Sequence, residues 1–322
     1  MSDVAWTLGP LLIGGSIALV LSGMVAVQCI VFYRLYPNEI RTRVVAVLAI
    51  WILDILHSTF IVISLFNYLV DFFGDRSRID HIPWSIGLTI VATAITTLIV
   101  HWYYCQKIFK SSNRNWWIVA PIVLLAFLRL FAASVSTTEM IRLQRYSAFT
   151  EKYPGWVFTT GLSLSAGVDI IITCWLCYFL RRMRGRTAST TMAHVVDVLT
   201  LYTLENGLLT GLTVTASLIC WVAMPNNLVF LGLHFVIGKL YANSFLISLN
   251  TRKALRDMRL SKNEWDPQVP VFSPDDLSAP HFLSSSRSPY GLPAVSMTVR
   301  PRKSRVPLPI PRPDIDCGAL SP

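Results

Sequence analysis

Charge is scarce in this chain. Asp, Glu, Lys and Arg make up 14% of its 322 residues, and hydrophobic residues make up 53%. Soluble domains carry roughly a quarter charged residues, so the shortage excludes a pair of ordinary soluble domains at this length. Cysteines are few and oddly placed for a secreted framework. Cys29, Cys174, Cys177 and Cys220 fall inside apolar runs, Cys105 at the end of one, and Cys317 near the C-terminus. None lies in an exterior loop, so no extracellular disulfide is expected. Cys174 and Cys177 form a CxxC, but no His or Cys partner stands at zinc-site spacing, and packing is their expected role.

Enzyme signatures are also missing. There is no GxSxG, no HExxH and no Walker-type loop. A metal-dependent intramembrane hydrolase built on His57, Asp54 or Asp169 would have too few ligands for zinc. The chain is therefore not expected to be an enzyme, and no cofactor or metal is expected. The first apolar stretch, 8–32, exceeds the roughly 7–15 residues of a signal-peptide core, and no basic segment precedes it. It is expected to be a span rather than a cleaved leader.

What the chain has in abundance is long apolar runs. Seven reach the roughly 20 residues that a helix needs to cross about 30 Å of hydrocarbon. They lie at about 8–33, 44–70, 84–108, 116–137, 156–180, 198–223 and 228–249. Lipid offers backbone groups no hydrogen-bond partner, so each must be helical; an outer-membrane barrel would show short alternating strands instead. The expected fold class is all-α: an integral membrane seven-helix bundle with short loops, 1–250, followed by a cytosolic basic segment and a disordered Pro/Ser-rich tail, 251–322. Trp6, Tyr33, Trp84, Trp116, Trp117, Trp156 and Trp221 stand near run boundaries, at the headgroup level that Trp and Tyr favour.

Lys and Arg set the orientation. Arg34, Arg41, Arg43, Lys107, Lys110, Arg114, Arg181, Arg182, Arg184, Arg186 and the group after 250 lie on one side. Arg76, Arg78, Arg142, Arg145 and Lys152 lie on the other, a bias of roughly threefold that holds loop by loop. The richer side is expected to be cytosolic, with the N-terminus outside and the C-terminus inside. A plasma membrane is the expected location. Basic residues in alternate loops imply no nucleic-acid partner. Their expected partner is the lipid bilayer, with an anionic inner leaflet at Arg252, Lys253, Arg256, Arg259 and Lys262. The basic stretch 250–262 suits a short helix along that leaflet and equally suits topology enforcement alone.

Charges inside the runs demand partners, since one at mid-membrane costs at least about 2.5–3.5 kcal/mol. Asp54, Arg129, Asp169 and Lys239 fall near the midplane at 1.5 Å per helical residue; Glu205 lies nearer the cytosol. His57 follows Asp54 by three residues, and Asn243 follows Lys239 by four, so each pair shares a face. The expected arrangement is a polar cluster of Asp54, His57, Arg129, Asp169, Glu205, Lys239 and Asn243 in the bundle centre, with Asp54 or Asp169 paired to Lys239 or Arg129. A static packing network and a ligand or ion site are equally compatible with that set. His101 and His234 stand alone and are expected to be packing or interface residues rather than ligands. Thr89, Thr93, Thr96 and Thr97, with Ala92 and Ala94, suggest a close-packing seam. Lys239 on a seventh helix also suits a retinal Schiff base, which spacing does not distinguish from an ion pair.

Several strings carry a family resemblance: Trp51-Ile52-Leu53-Asp54-Ile55-Leu56-His57-Ser58, Asn115-Trp116-Trp117, Met224-Pro225-Asn226-Asn227, and Gly238-Lys239-Leu240-Tyr241-Ala242-Asn243-Ser244 followed by Leu249-Asn250-Thr251-Arg252. From about Thr7 to Arg256 the chain resembles the basidiomycete fungal seven-transmembrane family known as domain of unknown function 6534. The resemblance implies seven spans and a fungal source, and no activity. Topology, short loops and a long tail suggest a receptor-like or sensory protein that takes a small-molecule ligand. A small-molecule or ion transporter and a structural membrane protein without a ligand are the alternatives.

Overall fold

The computed structural model describes residues 2–72, 80–149, 152–185, 190–224 and 227–264, without the side chains at 2–6, 152, 190–195, 199 and 254–264. All of them belong to one unit, Met1–Pro267. Arg76, Arg78, Arg186 and the Pro/Ser-rich tail lie outside the described residues, as do the side chains of Arg256, Arg259 and Lys262.

The described residues form α1 (Ser2–Leu35), α2 (Arg41–Phe66), α3 (Trp84–Ser111), α4 (Trp116–Leu143), a single turn α5 (Tyr146–Phe149), α6 (Lys152–Gly185), α7 (Thr190–Ala223) and α8 (Val229–Glu264). A π-helical turn, Asn67–Asp71, extends α2. No named strand occurs among the described residues. Seven helices are long and apolar enough to cross a bilayer: all but α5. The chain is an all-α, multi-pass membrane protein. The ends that carry Arg34, Lys110, Arg184 and Arg252 define its basic face.

Two helices occupy the middle. About two thirds of the apolar window of α3 is buried and 78% of that of α8, against 22–39% for the others. Helices in lipid approach closely where their side chains are small. The α3 seam supplies Ser85, Thr89, Ala92, Thr93, Ala94, Thr96 and Thr97, all buried. On α8, Gly232 and Gly238 serve the same end. A Cβ on Gly232 would collide with the Pro10 carbonyl of α1, and one on Gly14 of α1 would collide with Gly232 backbone. The two helices therefore cross with backbone against backbone. Outer faces are covered by apolar side chains such as Val20, Leu124, Phe131 and Leu212, each about two-thirds exposed, as lipid contact requires.

The end opposite the basic face is closed by aromatics. Tyr146 and Phe149 of α5 turn inward, where Phe149, Phe158, Trp221 and Phe230 pack edge to face at 4.8–5.9 Å between ring centres. The Tyr68 hydroxyl donates to the His81 carbonyl at 2.6 Å, and the Ile82 amide to the Gln144 carbonyl at 2.9 Å. These bonds tie the loop after α2 to the loop after α4.

At the basic face α8 does not stop. It continues unbroken to Glu264, so 250–262 is the prolongation of the seventh span rather than a separate surface helix. Helix-forming residues run through Thr251-Arg252-Lys253-Ala254-Leu255-Arg256 without Gly or Pro to end it. The α1–α2 turn latches this prolongation. Arg252 pairs with Glu39 at 2.9 Å, and Arg43 pairs with the same carboxylate at 2.6 Å. The Lys253 amide donates to the Tyr36 hydroxyl at 2.6 Å. Burial alone would raise the Glu39 carboxyl, but the Ile40 amide, Arg252 and Arg43 together hold it below its ordinary value. Because the folded-state value lies below the unfolded one, this stabilisation is present in full above the ordinary glutamate range. It is lost as pH falls through the folded-state value. Melting curves over a pH series are expected to show a midpoint that drops with acidification in the wild type and drops less in Glu39→Gln. Parallel curves would show that the latch adds nothing.

Candidate functional site

Two polar networks meet on α8, one on each side of it. The first joins α8 to α1 and α2. The Lys239 ammonium has three protons to donate, and all three are taken: by Asp54 Oδ1 at 2.8 Å, the Asp54 carbonyl at 2.8 Å and Ser58 Oγ at 2.6 Å. Ser22 of α1 donates to the other carboxylate oxygen of Asp54 and lies 3.0 Å from Ser58. Lys239 is 1% exposed and Asp54 5%. A buried pair survives desolvation only with such geometry and with its remaining lone pairs filled. Asn243, one turn along α8, donates to the Leu21 and Lys239 carbonyls and accepts from Gln28 at 3.0 Å. His57 sits beside the pair, its Nε2 3.2 Å from Thr93 Oγ1 and its Nδ1 without a partner among the described residues. A Cβ on Gly238 would meet both Thr93 and the His57 ring, so glycine lets α8 close on them.

The second network joins α8 to α3, α4 and α6. The Tyr241 hydroxyl donates to Asp169 Oδ2 at 2.5 Å and lies 3.1 Å from Ser165. His101 Nε2 is 3.1 Å from Asp169 Oδ1. Arg129, 9% exposed, places its guanidinium carbon 5.7 Å from the centre of the Tyr241 ring, a cation over a π face. No carboxylate lies within ion-pairing distance of Arg129 among the described residues. Tyr241 therefore stands between Arg129 and Asp169, touching one with its face and the other with its hydroxyl.

Six of the seven residues expected in the cluster are thus buried at these two networks: Asp54, His57, Arg129, Asp169, Lys239 and Asn243. The pair that forms is Asp54–Lys239. Asp169 takes the Tyr241 hydroxyl and the His101 ring instead of Lys239 or Arg129. Glu205 is not brought in. It is exposed on the outer side of α7 and makes no ion pair among the described residues. His101 is a correction in the other direction: it faces Asp169 rather than serving as packing alone. His234 is buried, and neither of its ring nitrogens has a partner among the described residues. Ser22, Ser58, Ser165 and Tyr241 complete the networks and were not among the residues expected in the cluster. An imine at Lys239 would keep at most one of its three N–H donors, so the three partners that Lys239 holds suit a free ammonium better than a retinal Schiff base.

Space around the networks is small. A cavity of about 30 Å³ is bordered by His101, Asp169, Tyr104, Thr210, Tyr241 and Ser244, with room for a water. Another of about 10 Å³ lies at Asp54, His57, Thr93 and Lys239. Small-molecule sites usually run to about 300–1,000 Å³, so neither admits a ligand of that size in this conformation. No group of three or more His, Cys, Asp or Glu is placed to hold a metal among the described residues.

Seven spans around two charge-bearing networks define the class: a polytopic helical membrane protein with a buried ionic centre. Residues 165–254 match the sequence model of a family of unknown function, DUF6534, and this match supports placing the chain in that family. The matched segment runs from Ser165 in α6 through Asp169, Lys239, Tyr241 and Asn243 to the start of the α8 prolongation. No curated protein and no solved structure matches the chain.

Proposed function

We propose that this chain is a receptor-like or sensory membrane protein whose seventh span, α8, is the element that moves. The observation that carries this is that one buried helix bears both anchors, Lys239 to Asp54 and Tyr241 to Asp169, and continues without a break beyond the basic face. A change at either anchor acts on the same rigid rod, whose far end is held at Glu39. The small cavities support a closed resting form that a small-molecule ligand opens by parting helices. The Lys and Arg bias supports a cytosolic basic face and an outside N-terminus. A plasma-membrane location and a fungal source go with this reading, and no catalytic role is assigned.

A transporter is the second reading, favoured by the hydrated-size cavity that Asp169 and His101 border, an acid and an imidazole within proton-transfer distance. One experiment separates the two. Spin labels at Arg182 and Thr251, in a background without native cysteines, report the separation of α6 and α8 at the basic face. For the receptor, Asp54→Asn is expected to broaden or split the distance distribution by helix shifts of about 1–2 Å or more. An unchanged distribution in a folded variant contradicts it. Proton flux into liposomes that Asp169→Asn abolishes would transfer the assignment to the transporter.

A further inference from the structure

The basic face carries a groove that neither network uses. It lies between α6 and α7, has a volume of about 810 Å³, and is lined by Arg181, Arg184, Gly185, Asp197, Thr200, Leu201 and Leu204. Its chemistry changes along its length. At the mouth stand two guanidinium groups and one carboxylate; Arg184 pairs with Asp197 at 2.8 Å, while Arg181 makes no ion pair among the described residues. Deeper in the membrane direction α7 presents Leu201, 65% exposed, and then Leu204. Seven residues of helix separate Asp197 from Leu204, about 10 Å along the axis. Tyr178, exposed one turn inward of Arg181 and Arg182, marks the headgroup level as interfacial tyrosines do.

We propose that this groove holds an anionic phospholipid, with its phosphate on Arg181 and Arg184 and one acyl chain along Leu201 and Leu204. The groove's polarity profile is that of a glycerophospholipid, charged for one headgroup and then apolar. The mouth keeps one net positive charge after Asp197 is counted, which selects an anionic over a zwitterionic lipid. A guanidinium offers a phosphate a planar fork of donors that survives contact with hydrocarbon better than an ammonium. Basic pockets between membrane helices take lipid headgroups in this way. The site is distinct from the expected leaflet attraction along the α8 prolongation, because Arg252 is committed to Glu39. It stands whether or not the receptor reading holds.

Full-length protein in detergent, equilibrated with a mixture of phosphatidylinositol and phosphatidylcholine and released into a native mass spectrometer, tests it. The wild type is expected to retain phosphatidylinositol in preference to phosphatidylcholine. Arg181→Gln, which breaks no ion pair, is expected to lower that retention about fivefold, the effect of one cation near an anionic surface. Asp197→Asn is expected to raise it, so the two substitutions move the same quantity in opposite directions while a folding defect would lower both. Water-soluble glycerophosphoinositol is expected to leave the bound lipid in place. Retention unchanged by both substitutions, or displacement by the soluble headgroup as effective as by lipid, would overturn the site.

Discussion

Replacing Lys239 with methionine is expected to cost about 3–5 kcal/mol of stability, the range for leaving one member of a buried ion pair without its partner. Methionine nearly matches the volume of the lysine stem, so the loss would not come from a cavity. It would come from Asp54, whose carboxylate would keep only Ser22 and would face a medium that does not solvate it. The single change also frees the Asp54 carbonyl and the Ser58 hydroxyl from the ammonium. Denaturation in mixed micelles, followed by tryptophan fluorescence, measures the cost. A loss below about 1 kcal/mol would place the pair among ordinary surface pairs, and the buried geometry would not be that of the protein in its membrane.

The second large effect belongs to the backbone. Gly232→Val is expected to prevent α8 from seating against α1, because the new side chain would meet the Pro10 carbonyl rather than a side chain that can turn away. Overpacking against movable neighbours costs about 1–3 kcal/mol, and here the neighbour is a helix backbone, so the cost should reach the top of that range. Gly23 and Gly167 face open space where a Cβ would stand. Gly23→Val and Gly167→Val are therefore the controls, expected to melt with the wild type apart from the small propensity change. Equal melting of Gly232→Val and the controls would contradict the close crossing.

The spans and the class were legible because lipid enforces them: a helix is the one spanning solution for runs of that length and apolarity. The charged residues near the midplane were legible as a set for the same reason, since each needs a partner. Their pairing was legible only as alternatives, Asp54 or Asp169 with Lys239 or Arg129, because spacing along one helix does not fix rotation against another. Glu205 shows the limit. The α7 helix is apolar on most sides, with Leu201, Leu208, Leu209 and Leu212 exposed beside it, so its sequence gives no direction for the acid. Hydroxyls were silent for a different reason. Ser16, Thr59 and Ser134 each bond the carbonyl four residues back, and Ser58 does so too while also accepting from Lys239. No pattern separates the one that reaches across from those that do not. Gly14 and Gly232 likewise look like Gly23 and Gly167 until the helices are packed.

Asp54 and Lys239 act as one unit that fixes α8 against α2. A double-mutant cycle with Asp54→Asn, Lys239→Met and the two combined measures this directly in micelle denaturation. Each single change should be costly, and the pair of changes should recover much of the loss, with a coupling free energy of about 2–3 kcal/mol. Costs that add to within about 0.5 kcal/mol would show that the acid and the lysine do not feel one another, and the shared anchor on α8 would be gone.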